Sequence, residues 1–297
     1  MKTAEAKARI ALKNILFATD FSPASLAAVP FAKQIAQRYG AKIYGVHVNP
    51  FLNYTGVEPN AWPAMTEAAE RTAKEDARRL DEELQGVEHE IVVGEGRLWE
   101  VLSSFIKDKE IDLVVVGTRG RTGIGRALLG SAAEEILRQA PCPVLSVGPH
   151  VKLWSDPAAE MHEILYATDL LSEAPAAAPY AFSLAQENQS HLVMLHVFED
   201  PMPKDVLRRE QLVASRKRLL EGLIPKEAAL WCEPALVVEE GVPAEKILDV
   251  AKRRRTDLIV LGAREVKGAG LAATHLNTGT AHKVLLQATC PVLTVRD

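Results

Sequence analysis

Cysteine is scarce in this chain. Only Cys142, Cys232 and Cys290 occur among 297 residues, and they lie far apart. An odd, dispersed set gives neither a disulfide framework nor a metal-ligand spacing, and it fits a reducing, cytoplasmic setting. An excess of positive charge is missing as well: 35 Lys and Arg stand against 39 Asp and Glu, for a net charge of −4. Phosphate-backbone binding needs clustered cations, so this balance argues against a dedicated nucleic-acid binder. No apolar run reaches the ~18 residues of a spanning helix, and no membrane association is expected. The stretch from Met1 to Lys13 is charged and lacks an apolar core segment, so no secretion signal is expected.

What is present is a globular composition, 47% hydrophobic and 25% charged, over a length that suits two domains. Asn14-Ile15-Leu16-Phe17-Ala18-Thr19-Asp20 reads as a buried strand ending in an acid. Ser22-Pro23 opens a helix, with Ser22 as cap and Pro23 at a position that needs no donor. Its apolar stripe runs Leu26, Val29, Ala32, Ile35, Ala36 to a stop at Gly40, and Pro30 interrupts it. A second strand covers Lys42 to Val48, and a loop covers Phe51 to Pro63. A charged-faced helix from Met65 to Leu84, a short strand Glu90–Val93 and a helix from Leu98 to Ile106 follow. The run Ile111 to Val116 leads into Gly117-Thr118-Arg119-Gly120, then nine residues, then Gly130-Ser131 and a helix; Val144–Val147 is the last strand. Apolar strands without polar alternation, each followed by a helix, predict a parallel sheet covered on both faces.

The programme then repeats. Ile164 to Asp169 restates Ile15 to Asp20, and the offset of 149 also relates Pro30 to Pro179 and His47 to His196. Asp257 to Gly262 matches Asp112 to Gly117, and Cys290 to Val295 matches Cys142 to Val147. A period this long is a duplicated domain rather than a solenoid repeat. The expected domains are residues 1–150 and 160–297, with a linker from Gly148 to His162. Since both copies carry the proline, Pro30 reads as a retained kink in its helix.

On these residues the chain resembles a tandem universal stress protein over nearly its whole length. That family's signature is Gly-x2-Gly-x9-Gly-Ser/Thr after the fourth strand, with an Asp ending the first. Gly117, Gly120, Gly130, Ser131 and Asp20 supply every element. The resemblance implies two α/β domains, each a five-stranded parallel sheet of order 3-2-1-4-5 with helices on both faces. It also implies ATP or a related adenine nucleotide as ligand, with Mg2+. With that strand order, the crevice where the order reverses lies between strands 1 and 4. The strand end Ala18-Thr19-Asp20 and Gly117 would face each other across it. Glycines let backbone N–H groups approach an anion, and the helix starting at Ser131 offers free N–H groups and a partial positive charge. Arg119 would add a charge-assisted bond, and Asp20 would take ribose hydroxyls or water around magnesium. By resemblance, backbone groups of Val46 would meet the adenine edge, and Val116, Ala132 and Ala133 would line the site.

Plainer roles stand beside these. Ser131 and Glu134 form a capping-box pattern, which is compatible with phosphate binding. Asp20 also suits a turn, and His47 and His196 read as structural histidines. The basic run Lys252–Arg255 ends a helix, where cations oppose the dipole. Cys142 and Cys290 read as packing residues.

The second copy departs from the motif. Gly262 is followed by Glu265 where the second glycine should stand, and the spacing to Gly279-Thr280 is longer. Lys283 replaces the acid of the capping pattern. A carboxylate in a phosphate path costs affinity, so weak or no nucleotide binding is expected there. No nucleophile with an activating base stands near the motif, so at most slow ATP hydrolysis is expected, with no catalytic or metal-ligating residue assigned. The function expected is ATP-dependent conformation or partner choice in a stress response, with a nucleotide-independent interaction protein as the alternative. The outer strands Val144–Val147 and Val292–Val295 would, by resemblance, pair the halves as a pseudo-dimer, and two chains would form a homodimer.

Overall fold

The computed structural model describes residues 10–49, 62–118, 129–151, 161–171, 176–228, 232–263 and 279–296. The chain separates into two compact units, one of residues 12–144 and the other of residues 145–297 together with the chain up to Ala11. Each is taken in turn.

In the first half, β1 (Asn14–Ala18) pairs in parallel with β2 (Lys42–Asn49) on one side and β4 (Leu113–Gly117) on the other. β2 pairs in parallel with β3 (His89–Glu95). β5 (Val144–Val147) follows, and the first four strands stand in the order β3-β2-β1-β4, with the reversal at β1 and β4 that the resemblance implies. Val114 N–H donates to the Pro143 carbonyl at 2.9 Å, just ahead of β5. The central strands are Val- and Ile-rich and buried along their length: Ile15, Leu16, Phe17, Val114 and Val115 are all 0% exposed. That burial on both faces is why these strands show no polar alternation.

The helices of this half are α1 (Pro23–Leu26), α2 (Val29–Tyr39), α3 (Trp62–Glu83), α4 (Leu98–Asp108) and α5 (Ser131–Gln139). Here one expectation is corrected. Pro30 does not kink a continuous helix; the helix is two helices, and Pro30 lies in the first turn of α2, where its missing N–H breaks no hydrogen bond. The Ala28 N–H closes the preceding turn on the Ser25 carbonyl at 3.1 Å.

The second half repeats the plan. β6 (Glu163–Ala167) lies between β7 (His191–Phe198) and β9 (Leu258–Ala263), with β8 (Ala235–Glu240) beyond β7 and β10 (Val292–Arg296) beyond β9. All four pairings are parallel. Its helices are α6 (Ala177–Asn188), α7 (Val206–Glu221), α8 (Pro243–Arg254) and α9 (Thr280–Gln287). The basic run does end α8, and Arg255 caps it with φ of 57°. Ile10 joins this unit through a hydrogen bond from its N–H to Ser183 Oγ, 3.1 Å long.

A duplicated clamp fixes where the first strand of each half begins. Asp112 Oδ2 accepts from the N–H groups of Lys13 (2.7 Å) and Asn14 (3.0 Å). Asp257 Oδ2 accepts in the same way from His162 (2.8 Å) and Glu163 (3.0 Å). A carboxylate that satisfies two consecutive strand-entry donors makes charge-assisted bonds, the stronger kind. No helix among the described residues is long and apolar enough to cross a membrane.

Candidate functional site

The site grows from the turn after β1. Thr19 N–H donates to the Val46 carbonyl at 3.0 Å, which carries the β1–β2 ladder one residue past the strand. Thr19 Oγ1 accepts from the Phe21 N–H at 2.9 Å and lies 2.9 Å from Ser25 Oγ. Asp20 Oδ1 accepts from the Ser22 N–H at 3.0 Å, so Asp20 does close a turn. Phe21 sits in the left-handed region with φ of 58°, and the two side-chain bonds to the N–H groups of Phe21 and Ser22 offset the strain of that conformation. Ser22 caps α1 through Ser25 N–H at 3.2 Å, as expected.

His47 secures this turn from the side. Its Nδ1–H donates to the Thr19 carbonyl at 2.8 Å, its Nε2 lies 2.9 Å from Asn49 Oδ1, and its ring packs 4.6 Å from that of Phe21. Both nitrogens are engaged, which is the structural role expected of it.

Across the crevice, Ala18 stands opposite Val116 in the β1–β4 ladder, so Thr19 and Gly117 continue side by side. Gly117 cannot carry a side chain: a Cβ there would lie 2.7 Å from both the Ala24 carbonyl oxygen and the Ser25 Cα. The demand comes from α1 passing under the end of β4, a contact no local spacing reveals. Thr118, 2% exposed, then accepts the Gly130 N–H on its carbonyl at 2.9 Å, which returns the chain to the strand end as α5 begins.

The start of α5 differs from the capping-box expectation. Gly130, not Ser131, is the N-cap, with φ −64° and ψ 144°, and no side chain caps the helix. Ser131 is the first helical residue, and Glu134 N–H bonds the Gly130 carbonyl at 2.9 Å. The first-turn donors of Ser131, Ala132 and Ala133 have no side-chain cap, and Ser131 and Ala132 are exposed. Backbone angles like those of Gly130 suit any residue, so its glycine is not demanded by conformation. Lacking a side chain, Gly130 puts none of its own atoms over those donors. Arg119 and Gly120 lie outside the described residues. Val46 and Val116 are 1% and 4% exposed, at the floor beneath the crevice.

The second half repeats the turn. Leu170 has φ of 59°, its N–H bonds Thr168 Oγ1 at 3.2 Å, and Asp169 Oδ1 accepts from the Leu171 N–H at 2.9 Å. His196 Nδ1 meets the Thr168 carbonyl at 3.1 Å. Burial pushes the His196 pKa below the usual histidine range, against the bond to Thr168. A cavity of about 160 Å³ opens here, between the ends of β6 and β9. Glu265, Lys267, Gly268 and Gly270 lie outside the described residues.

The model of the universal stress protein family matches residues 11–148 and again 161–296. The chain belongs to the universal stress protein family. A universal stress protein of Mycolicibacterium smegmatis is 30% identical over 305 residues, spanning 95% of this chain and 97% of that one. One from Methanocaldococcus jannaschii is 33% identical over 138 residues, 46% of this chain and 81% of its own length. The crystal structure of a universal stress protein from Archaeoglobus fulgidus superposes with a TM-score of 0.72, covers 98% of each chain and is 21% identical, a likeness of fold.

Two further features of this family member follow from its structure. Among the described residues, no group of three or more His, Cys, Asp or Glu side chains could hold a metal ion. Burial pushes the Cys142 and Cys290 thiols up to about 12, so neither is a thiolate at neutral pH, in keeping with packing roles.

Proposed function

We infer that this universal stress protein binds ATP in its first half and uses the nucleotide to set its conformation or its choice of partner. The observation that carries the reading is the start of α5: a helix N-terminus with no side-chain cap, tied to the end of β4 by the Gly130–Thr118 hydrogen bond. Free first-turn N–H groups with the positive end of the dipole favour phosphate. The placement at the point where strand order reverses is where open α/β sheets take their ligands. Asp20 flanks the crevice with one carboxylate oxygen held by the Ser22 N–H, and a carboxylate can accept further bonds from ribose hydroxyls or from water around Mg2+. The fit of these groups to a magnesium nucleotide rests on donors at the helix end and an acid at the strand end.

A ligand shifts a conformational equilibrium only by its differential affinity for the two states. A phosphate held at the start of α5 supplies such a difference where only one state presents those donors together, and the surface around the helix end is what a partner would read. Homodimerisation of the chain, and pairing of the two halves as a pseudo-dimer through their outer strands, belong to the same reading. The test is thermal unfolding of the full chain with and without ATP and Mg2+. Ligand at about 100 times its Kd adds about 2.7 kcal/mol to the stability of the half that binds it, so the first transition moves up. No shift at millimolar ATP and Mg2+ would sink the reading.

A further inference from the structure

Helix α7 packs over β7 and β8 and buries little of itself. Leu220 is the one fully buried residue of its 16, whereas α8 buries Ala244, Ile247, Val250 and Ala251 out of 12. Three of the six large hydrophobic side chains exposed among the described residues lie on α7: Val206 (69%), Leu207 (63%) and Leu219 (46%). Leu207, Gln211, Ser215 and Leu219 recur every four residues and are all exposed, so they form one ridge on the outer face with a leucine at each end. The helix also carries five cations, Arg208, Arg209, Arg216, Lys217 and Arg218, against two acids. None of the five makes an ion pair among the described residues. Arg216 is half-buried, its Nε has no hydrogen-bond partner, and its guanidinium lies 5.3 Å from the Phe198 ring centre. A cation drawn partly out of water without a carboxylate is unfavourable, and so is an apolar ridge left in water; docking of an acidic helix relieves both.

The helix at the same place in the first half has the opposite balance. α3 follows β2 as α7 follows β7, and it carries seven acids against four cations. Glu67, Glu75, Glu82 and Glu83 are exposed and make no ion pair among the described residues. Lys74 and Arg79, by contrast, are paired within α3 to Glu70 and Asp76. The two copies have thus diverged in sign. Because the α7 cations meet no carboxylate of their own chain, their acids have to come from another molecule, and α3 concentrates the acidic surplus of this one. We propose that α7 is a self-association surface that docks on α3 of a second copy of this chain. Like charges disfavour α7 on α7 and α3 on α3, so the pairing is selective. At about 24 Å, α7 is long enough for one helix-on-helix contact, less than the ~1,000 Å² of a stable interface, so the association is weak and sensitive to salt. The inference rests on the reading that chains associate, but not on ATP and not on the outer strands β5 and β10.

The experiment is sedimentation velocity of the full chain, without nucleotide, over a range of concentrations. The mass should rise with concentration at about 0.1 M NaCl and rise much less at about 1 M, where the Debye length falls to about 3 Å. Two charge-reversed chains, Arg208→Glu with Arg218→Glu on α7 and Glu75→Arg with Glu82→Arg on α3, change only exposed side chains. Each alone should keep its circular dichroism and associate roughly tenfold more weakly, a loss of about 1.4 kcal/mol. Mixed together they should recover, because each reversed helix then meets a reversed partner. Leu207→Ser with Leu219→Ser should weaken association while leaving its salt dependence in place. A chain that is monomeric at every concentration overturns both this surface and the homodimer reading. Association that neither reversal weakens overturns this surface alone, and variants that weaken singly but do not recover when mixed remove α3 as the occupant and overturn the proposal. Binding to phosphatidylserine vesicles that is lost in the α7 variant, with self-association unchanged, would make α7 a lipid-docking helix and likewise overturn it.

Discussion

The N–H of Gly130 donates to the carbonyl of Thr118 at 2.9 Å, so the end of β4 and the beginning of α5 are one structural unit. Because the Gly130 angles are φ −64° and ψ 144°, a side chain there strains no backbone and lands among the first-turn donors of α5. Gly130→Glu is therefore expected to block the helix end without backbone strain, whereas Gly117 has no room for a Cβ.

Gly117→Ala is expected to destabilise the first half. The new methyl meets backbone atoms of Ala24 and Ser25 at 2.7 Å, and backbone cannot swing aside as a side chain can. Overpacking of this kind costs about 1–3 kcal/mol. Urea unfolding should show the first-half transition moved to lower urea and the second-half transition unchanged.

The aspartate clamps give a matched pair of predictions. Asp112→Ala removes an acceptor shared by the Lys13 and Asn14 N–H groups, and Asp257→Ala does the same for His162 and Glu163. Each change should cost about 1.5–3 kcal/mol, the range for hydrogen bonds to a charged group, in its own half only. Hydrogen exchange at the β1 or β6 entry amides should accelerate accordingly. Equal effects in both halves from either single change would contradict the assignment.

Much of this architecture was legible in the sequence. Unbroken runs such as Leu113 to Val116 announce doubly covered strands, and the restatement of Ile15–Asp20 by Ile164–Asp169 announces the second domain. The turn after β1 was half legible: Asp20 and Ser22 carry turn and cap chemistry, but the φ of 58° at Phe21 and its support by Thr19 appear only in three dimensions. The reason Gly117 is glycine was hidden, because Ala24 and Ser25 are remote in sequence. The N-cap of α5 is Gly130 rather than Ser131, because Ser131 already lies within the helix and no side chain caps it. Pro30 is ambiguous in sequence, since one proline reads alike as a kink or as the first turn of a new helix. The cavity of the second half left no trace in the motif, whose altered spacing pointed only to loss.

His196 makes the second half sensitive to acid. Its folded pKa lies below the unfolded value of about 6.5, because burial disfavours the charged ring. The unfolded chain then binds the proton more readily, so stability is full above the unfolded pKa and is lost as pH falls through the folded one. Glu163 acts with the opposite sign: burial raises its pKa despite Arg254, so its contribution is full below the unfolded carboxylate value and is lost as pH rises through the folded one. The urea midpoint of the second half should fall between pH 7 and pH 5 (about one unit either side of the histidine range), and His196→Asn should flatten that fall. A fall unchanged in the variant would remove His196 as its cause.

The thiols should respond only to unfolding. With Cys142 and Cys290 held near 12, iodoacetamide at neutral pH should leave both unmodified in the native chain. After denaturation in urea, mass spectrometry should show all three cysteines alkylated. Rapid native modification of Cys142 or Cys290 would contradict their packing role.

The central claim, one ATP site in the first half, is tested most directly by calorimetric titration of the full chain with ATP and Mg2+. The account predicts one site per chain in the unaltered protein, and no measurable binding in Gly130→Glu with its circular dichroism and first-half unfolding midpoint preserved. Undiminished ATP binding by that folded variant, or no binding by the unaltered chain at millimolar ATP, would contradict it.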